Sequence, residues 1–199
     1  GELLVAGSED LGASLWNLQT RECVWFGSGA DRTAPQSVAI SADGRLLAVG
    51  RANAVVTVRE TAQPERIVLQ HALTDMINSV AFSPDGRWLA VGDSSGDVTL
   101  LSVPGDASTP NAGSPGQFQH GMRTWHAHED RLYGLSFAPG GRELITVSKD
   151  GRAKVWVVEL SGSQQGVATA ARDCAFLPEG RLLTCGDDLC LQNLTADGV

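Results

Sequence analysis

Four short stretches of the chain share one pattern of apolar and polar positions. Each has an apolar run, a four-residue turn that ends in Gly, an Arg and a second apolar run. The stretches are SVAISADGRLLAVG at 37–50, SVAFSPDGRWLAVG at 79–92, GLSFAPGGRELITVS at 134–148 and DCAFLPEGRLLTCGD at 173–187. Their turn glycines, Gly44, Gly86, Gly141 and Gly180, lie 42, 55 and 39 residues apart. This spacing predicts an internal repeat in which each unit stacks on the next.

The turns predict β-hairpins. In Ser-Pro-Asp-Gly at 83–86, Pro restricts φ to about −65°, Asp bonds its own backbone and Gly adopts the positive φ that closes the turn. A third strand follows each hairpin, as in DVTLLSV at 97–103, and shows partial alternation of apolar and polar residues. The hairpin strands are nearly continuous apolar runs, which is typical of strands buried on both faces. We therefore expect an all-β fold, a β-propeller of four-stranded antiparallel blades.

The unit HEDRLYGLSFAPGGRELITVSKDGRAKVWVV at 128–158 resembles the repeat of the WD-repeat (tryptophan–aspartate) β-propeller family, and the resemblance extends over essentially the whole chain. It implies a buried hydrogen-bonded set of a His before the first strand, a hydroxyl in the second, an Asp in the next turn and a Trp in the third. The matching residues are His128, Ser148, Asp150 and Trp156. The first unit, at 3–18, matches with Ser8, Asp10 and Trp16.

The repeats are degenerate. No Trp-Asp dipeptide occurs, and the second unit has Asn53 and Arg59 where the family has Asp and Trp. The third unit has Ser95 and Leu101 at these positions. We therefore expect a complete polar set only in the 128–158 unit, and packing alone in the other blades.

The strand count predicts a segment of a larger propeller. We expect residues 1–199 to form three complete blades and two partial ones. The approximate blades are 1–34 (partial), 35–75, 76–128 with an insertion at 104–121, 129–170 and 171–199 (partial). About seven blades is usual in the family that the chain resembles, so the rest of the parent chain would supply the missing ones. A closed five-bladed ring is the alternative.

Charge and composition narrow the class of partner. The net charge is −8 and no run of Lys or Arg occurs, so we expect no nucleic-acid binding. Apolar runs of four or five residues are too short to cross a membrane. Arg supplies 13 of the 15 basic residues, a bias typical of a GC-rich, bacterial genome. No secretory signal is visible, so we expect a cytoplasmic protein.

We expect no catalytic residue, no bound cofactor and no metal site. His126 and His128 would share a strand face, but the family resemblance gives His128 a structural role. The acidic stretches DSSGD at 93–97 and SKDG at 148–151 fall where a turn must join two strands, and the full calcium-loop pattern is missing.

The resemblance implies a non-catalytic scaffold that binds other proteins or peptides through its upper rim. Candidate contacts are Glu9 and Lys149, each just before a turn Asp, Tyr133 near the start of an inner strand, and Phe118 in the Pro/Gly/Ser-rich insertion. The alternative is a propeller-based hydrolase or lyase with a central site that the sequence does not identify.

Overall fold

The computed structural model describes residues 2–8, 12–27, 33–104, 122–158, 164–167, 173–176, 181–185 and 189–193. These residues form eighteen β-strands, and none of the described chain is helical. This part of the molecule accordingly has no helix that could span a membrane.

The strands form five antiparallel sheets, which we call blades 1 to 5. In each sheet the spatial order of the strands is their order along the chain. Blade 1 has β1 (Leu3–Ser8), β2 (Gly12–Asn17) and β3 (Glu22–Gly27); blade 2 has β4 (Pro35–Ile40), β5 (Leu46–Arg51), β6 (Val55–Glu60) and β7 (Ile67–Ala72); blade 3 has β8 (Ile77–Phe82), β9 (Trp88–Asp93), β10 (Asp97–Ser102) and β11 (Met122–His126); blade 4 has β12 (Leu132–Phe137), β13 (Glu143–Ser148), β14 (Ala153–Val157) and β15 (Gln164–Val167); blade 5 has β16 (Asp173–Phe176), β17 (Arg181–Cys185) and β18 (Leu189–Asn193).

The predicted fold class is confirmed. Three blades have four strands, and the first and last have three each in the described chain, as expected for a propeller segment with partial blades at its ends. The first strands of successive blades contact one another, β4 with β8, β8 with β12 and β12 with β16. Apart from its first residue, the expected insertion at 104–121 lies outside the described residues.

The predicted hairpin turns follow the expected chemistry. Gly86 has a φ of +70°, and its N–H donates to the carbonyl of Ser83 at 2.9 Å. The Ser83 hydroxyl lies 2.5 Å from an Asp85 carboxylate oxygen and accepts the Trp88 N–H at 3.0 Å. The Ser83 hydrogen bond is the main cause that holds the pKa of Asp85 below its usual value.

The apolar core lies between blades. Ala48, Val56 and Val58 of blade 2 pack with Leu89 and Leu101 of blade 3 in one buried cluster. A second cluster joins blade 3 to blade 4, and a third joins blade 1 to blade 2. Because the inner strands are covered on both faces, their sequences are continuously apolar rather than alternating.

Candidate functional site

One end of every complete blade is built in the same way. The residue that follows the second strand donates its N–H to the segment that precedes the first strand. These bonds are Ala52 N to Ala34 O at 3.2 Å, Ser94 N to Met76 O at 2.9 Å and Lys149 N to Arg131 O at 3.0 Å. We call this end of the blades, marked by residues 52, 94 and 149, the upper edge. In the repeat pattern Glu9 takes the position of Lys149, but Glu9 lies outside the described residues.

A β-bulge lies at the upper edge of each first strand. The pairing register shifts between Pro35 and Ser37 in blade 2, between Ile77 and Ser79 in blade 3, and between Leu132 and Gly134 in blade 4. The extra residues are Gln36, Asn78 and Tyr133. A bulged residue leaves the ladder and its side chain is redirected, which is why bulges are common beside functional sites. The bulge therefore sets Tyr133 apart from the regular alternation of β12.

Charged side chains lie on the same edge of blade 4 as Tyr133. The Arg131 guanidinium lies over its ring at 5.3 Å from the centroid. Lys149 Nζ forms an ion pair with Asp130 Oδ2 at 3.2 Å, and these side chains are 53% and 42% exposed. The Arg131 N–H donates to Asp130, and this bond, followed by that of Lys149, lowers the pKa of Asp130. Blade 4 thus presents an aromatic ring, two cations and a carboxylate within one short stretch of its upper edge.

Beneath this surface lies a chain of side-chain hydrogen bonds. The His128 ring bonds Asp150 Oδ2 through Nδ1 at 2.9 Å and Thr146 Oγ1 through Nε2 at 2.8 Å. The Trp156 indole N–H donates to the same Thr146 oxygen at 2.9 Å. Three of the four residues expected from the family resemblance are therefore brought together by a residue that the sequence analysis did not name.

The hydroxyl of this set is Thr146, so its assignment to Ser148 was wrong. In the β13–β14 register Leu144 lies opposite Trp156 and Thr146 opposite Lys154. Thr146 and Ser148 share a face of β13, but Ser148 lies two residue pairs farther from Trp156 along the ladder. Trp156 is also half-buried rather than buried, and its ring packs against Trp125 with the centroids 5.6 Å apart.

Ser148 has a different role, which is to tie the upper edge together. Its hydroxyl lies 2.8 Å from the Asp130 carbonyl oxygen and 3.0 Å from that of Arg131, and it donates there. It also accepts the Asp150 N–H at 3.1 Å. Ser148 is 1% exposed. This one side chain therefore connects the strand that carries Thr146, the turn that carries Asp150 and the segment that leads to Tyr133.

Burial and charge determine which atoms carry the protons along this series of side-chain hydrogen bonds. Burial lowers the pKa of His128, and the hydrogen bond and charge of Asp150 only partly offset that effect. Burial also raises the pKa of Asp150, but the bond and charge of His128 and the N–H donors of Arg152 and Glu129 outweigh it, so that pKa is lowered overall. At neutral pH a neutral imidazole therefore donates from Nδ1 to an ionised Asp150. Its Nε2 accepts the Thr146 O–H, whose oxygen accepts the Trp156 N–H.

Blades 1 to 3 have an aliphatic residue at the position of Thr146. Alignment of the second strands gives Ala6, Val49 and Val91 there. In blade 1 the Trp16 indole donates to Ser14 Oγ on its own strand at 3.0 Å, so Ser8 is not its partner. Asp10, which was expected in this set, lies outside the described residues, as does the candidate contact Phe118.

In blade 2, Arg59 fills the position of the missing Trp. Its guanidinium lies 5.5 Å from the Trp25 ring centroid of blade 1, and Nη1 donates to the Pro64 carbonyl at 2.8 Å. His126 pairs with Asp97 at 2.8 Å. Over the part of the chain that the structure describes, no three His, Cys, Asp or Glu side chains lie close enough together to hold a metal ion.

Two stretches of the chain match a known protein family. The family "WD domain, G-beta repeat" matches residues 63–100 and 121–156. Over 171 residues the chain is 26% identical to the nuclear distribution protein nudF of Emericella nidulans. This alignment covers 80% of this chain and 37% of that protein. It is 30% identical over 73 residues to the guanine nucleotide-binding protein subunit beta of Arabidopsis thaliana, covering 34% of this chain and 19% of that protein. The chain thus spans well under half the length of each of these relatives.

Proposed function

Since the chain contains WD repeats, we propose that it is a non-catalytic scaffold that binds a protein or peptide partner at the upper edge of blade 4. The observation that carries this proposal is the placement of Tyr133 on a β-bulge under the Arg131 guanidinium, at the same blade edge as the Lys149–Asp130 ion pair. Tyr and Arg, together with Trp, are the residue types most enriched among the hot spots of protein interfaces.

Hydrogen bonds beneath this surface hold it in one conformation, which favours a role in binding. Ser148 bonds the backbone of the Asp130–Arg131 segment, and the Lys149 N–H bonds the Arg131 carbonyl. The chain from Trp156 through Thr146 and His128 to Asp150 holds the turn that carries Lys149. A surface that is already ordered loses less conformational entropy when a partner binds, so more of the contact energy is realised as affinity.

The chemistry of the upper edge of blade 4 suits a mixed partner. The Tyr133 ring offers apolar area with a polar tip, and Arg131 and Lys149 offer donors for carboxylates. We infer that the partner presents an apolar side chain next to an acidic one. The Arabidopsis relative is named as a subunit, so a related chain works within an assembly.

Selection of peptides from a displayed random library against the 199-residue chain tests this proposal. We expect the selected peptides to bind Tyr133→Ala and Lys149→Glu about tenfold or more weakly, as interface hot spots do. Gln36→Ala, at the same bulge position in blade 2, and Arg142→Glu, an exposed cation in the blade 4 hairpin turn, are the matched controls and should bind normally.

Urea unfolding of each variant separates lost binding from lost folding. Lys149 is half-exposed, and exposed ion pairs contribute about 1 kcal/mol or less, so Lys149→Glu should leave the unfolding midpoint nearly unchanged. If the selected peptides bind the Tyr133 and Lys149 variants as tightly as the parent chain, the upper edge of blade 4 is not the binding surface.

A further inference from the structure

One face of β6, in blade 2, carries two polar side chains toward blade 1. Thr57 and Arg59 are two residues apart and therefore lie on the same face of the strand. In the β5–β6 ladder they lie opposite Val49 and Leu47, which belong to the apolar cluster shared with blade 1. The intervening Val58 belongs to the cluster shared with blade 3. The two polar side chains are therefore directed between blades 1 and 2.

Each of these side chains has a buried polar atom without a hydrogen-bond partner. Thr57 is 6% exposed, and its Oγ1 bonds no atom of the described chain. The Nε of Arg59 is also buried, and it too bonds none of the described residues. Nη1 of the same side chain donates to the carbonyls of Pro64 at 2.8 Å and Glu65 at 3.3 Å. A buried donor without an acceptor is costly, so two of them on one face indicate that something is bound there.

The equivalent polar atoms of blades 3 and 4 do have partners. Thr99 takes the position of Thr57 in blade 3, and its Oγ1 lies 2.9 Å from Thr124 Oγ1 on the neighbouring strand. In blade 4 the position of the guanidinium is occupied by Trp156, whose indole N–H donates to Thr146 at 2.9 Å. Blade 2 has an aliphatic residue in place of that hydroxyl. The unpaired atoms are therefore particular to blade 2.

The Arg59 guanidinium has one edge available to a ligand. Its central carbon lies 5.5 Å from the centroid of the Trp25 ring, and Trp25 is 8% exposed. Over the described chain, neither Nε nor Nη2 donates to an acceptor, and none of the ion pairs includes Arg59. Nε and Nη2 together form the edge of a guanidinium that can bind a carboxylate or phosphate through two parallel hydrogen bonds.

Burial of the Arg59 charge is a second reason to expect an anion. Burial is the largest cause that lowers the pKa of Arg59; the charge of Glu65 opposes this effect, and that of Arg51 adds to it. Arg51 is itself only 4% exposed, so blade 2 contains a second buried cation. A buried water molecule would satisfy the unpaired atoms but not the charge, whereas an oxyanion satisfies both.

We propose that Arg59, Thr57 and Trp25 form a binding site for a small oxyanion, a carboxylate or a phosphate, between blades 1 and 2. Two oxygen atoms of the anion accept the Nε–H and Nη2–H groups of Arg59, and one of them also accepts the Thr57 O–H. The Trp25 ring forms the apolar wall of the site. This inference concerns blades 1 and 2 and is independent of the function proposed for blade 4.

Titration of the 199-residue chain with acetate and with inorganic phosphate, followed by NMR of the arginine Nε–H groups, tests the site directly. The resonance that disappears in Arg59→Lys assigns the Nε–H of Arg59. We expect this resonance to shift until the site is saturated, and chloride at equal ionic strength to leave it in place. Thr57→Val should weaken oxyanion binding about three- to tenfold, because one hydrogen bond is lost. Arg66→Gln, which removes an exposed cation paired with Glu60 in the same blade, is the matched control and should bind normally.

Thermal unfolding provides an independent test. In buffer without an oxyanion, Thr57→Val should not lower Tm, because the hydroxyl that it removes has no partner in the described chain. Thr99→Val removes the equivalent but bonded hydroxyl and should lower Tm by about 2–4 °C. Phosphate stabilises folded chains in general, so the specific effect is the difference between the parent chain and Arg59→Gln. We expect phosphate to raise Tm by at least about 3 °C more in the parent chain.

Three results would overturn the proposal. The first is an Arg59 Nε–H resonance that neither oxyanion shifts, as expected if only water occupies the site. The second is an equal shift with chloride, which would make the response one to charge rather than to an oxyanion. The third is an equal rise in Tm with phosphate in the parent chain and in Arg59→Gln, which would reduce the effect to general stabilisation by salt.

Discussion

Thr146→Val removes the hydroxyl at the centre of the blade 4 hydrogen-bond chain while nearly preserving the shape of the side chain. Thr146 is 0% exposed, and its oxygen lies 2.8 Å from His128 Nε2 and 2.9 Å from Trp156 Nε1. Val occupies the same position in blades 2 and 3, as Val49 and Val91, so the strand itself tolerates the substitution. The change therefore tests the hydrogen bonds rather than the packing.

The expected cost follows from the groups that lose a partner. A buried polar group without a hydrogen bond costs about 1–3 kcal/mol. His128 is 1% exposed and bears this cost in full, whereas Trp156 is half-buried and can recover part of its bond from water. We expect the free energy of unfolding to fall by about 2–4 kcal/mol.

Urea unfolding followed by tryptophan fluorescence measures this loss. Thr146→Ser, which keeps the hydroxyl and removes a methyl group, should cost about 1 kcal/mol. Ser148→Ala should also cost about 1 kcal/mol, because the backbone groups that it releases lie at the blade edge, where water can reach them. If Thr146→Val costs no more than Thr146→Ser, the hydroxyl does not support His128 and Trp156, and the reasoning is refuted.

Further predictions concern pH and the turns. The pKa of His128 is lowered in the folded chain, so the unfolded chain takes up a proton first as the pH falls through the ordinary value of 6.5. The free energy of unfolding should therefore be largest above that pH and decrease below it, and urea titrations at several pH values should show a weaker decrease in His128→Gln. Gly96→Ala places a Cβ 2.0 Å from the His128 carbonyl oxygen at a φ of +85°, and should cost at least about 3 kcal/mol. Gly151→Ala, at a φ of +78° but in open space, should cost only about 1 kcal/mol in the same urea assay, and equal losses would show that the contact with His128 is unimportant.

Sequence alone was sufficient for the local structure and for the fold class. The turn at 83–86 needs only the chemistry of adjacent residues, and Gly86 adopts the positive φ that the pattern requires. The continuous apolar runs predicted strands covered on both faces, and the recurrence of the turn glycines predicted stacked blades. These features are readable because each depends on residues that are close in sequence or on a spacing that repeats.

The identity of the hydroxyl residue in the polar set was decided by the pairing register of the strands. Thr146 and Ser148 are two residues apart on one face of β13, and both are hydroxyl residues, so the sequence pattern alone did not distinguish them. The pairing of β13 with β14 brings Thr146 nearer to Trp156 and leaves Ser148 at the strand end, where it bonds the backbone of the neighbouring segment. Counting residue pairs back from Trp156 across the β13–β14 hairpin would have indicated that Thr146 is the nearer hydroxyl. The bulge at Tyr133, by contrast, has no marker in the letters around it.

Burial was decided by the tertiary structure alone. Leu4, Leu47 and Leu89 occupy one position of the repeat and read alike in the sequence, yet Leu4 is 49% exposed and the other two are 0% exposed. The sequence determines that such a residue is apolar and faces out of its own sheet. Its exposure to solvent depends on the blade that stacks against it, because the strands of a blade cannot cover that blade's own face.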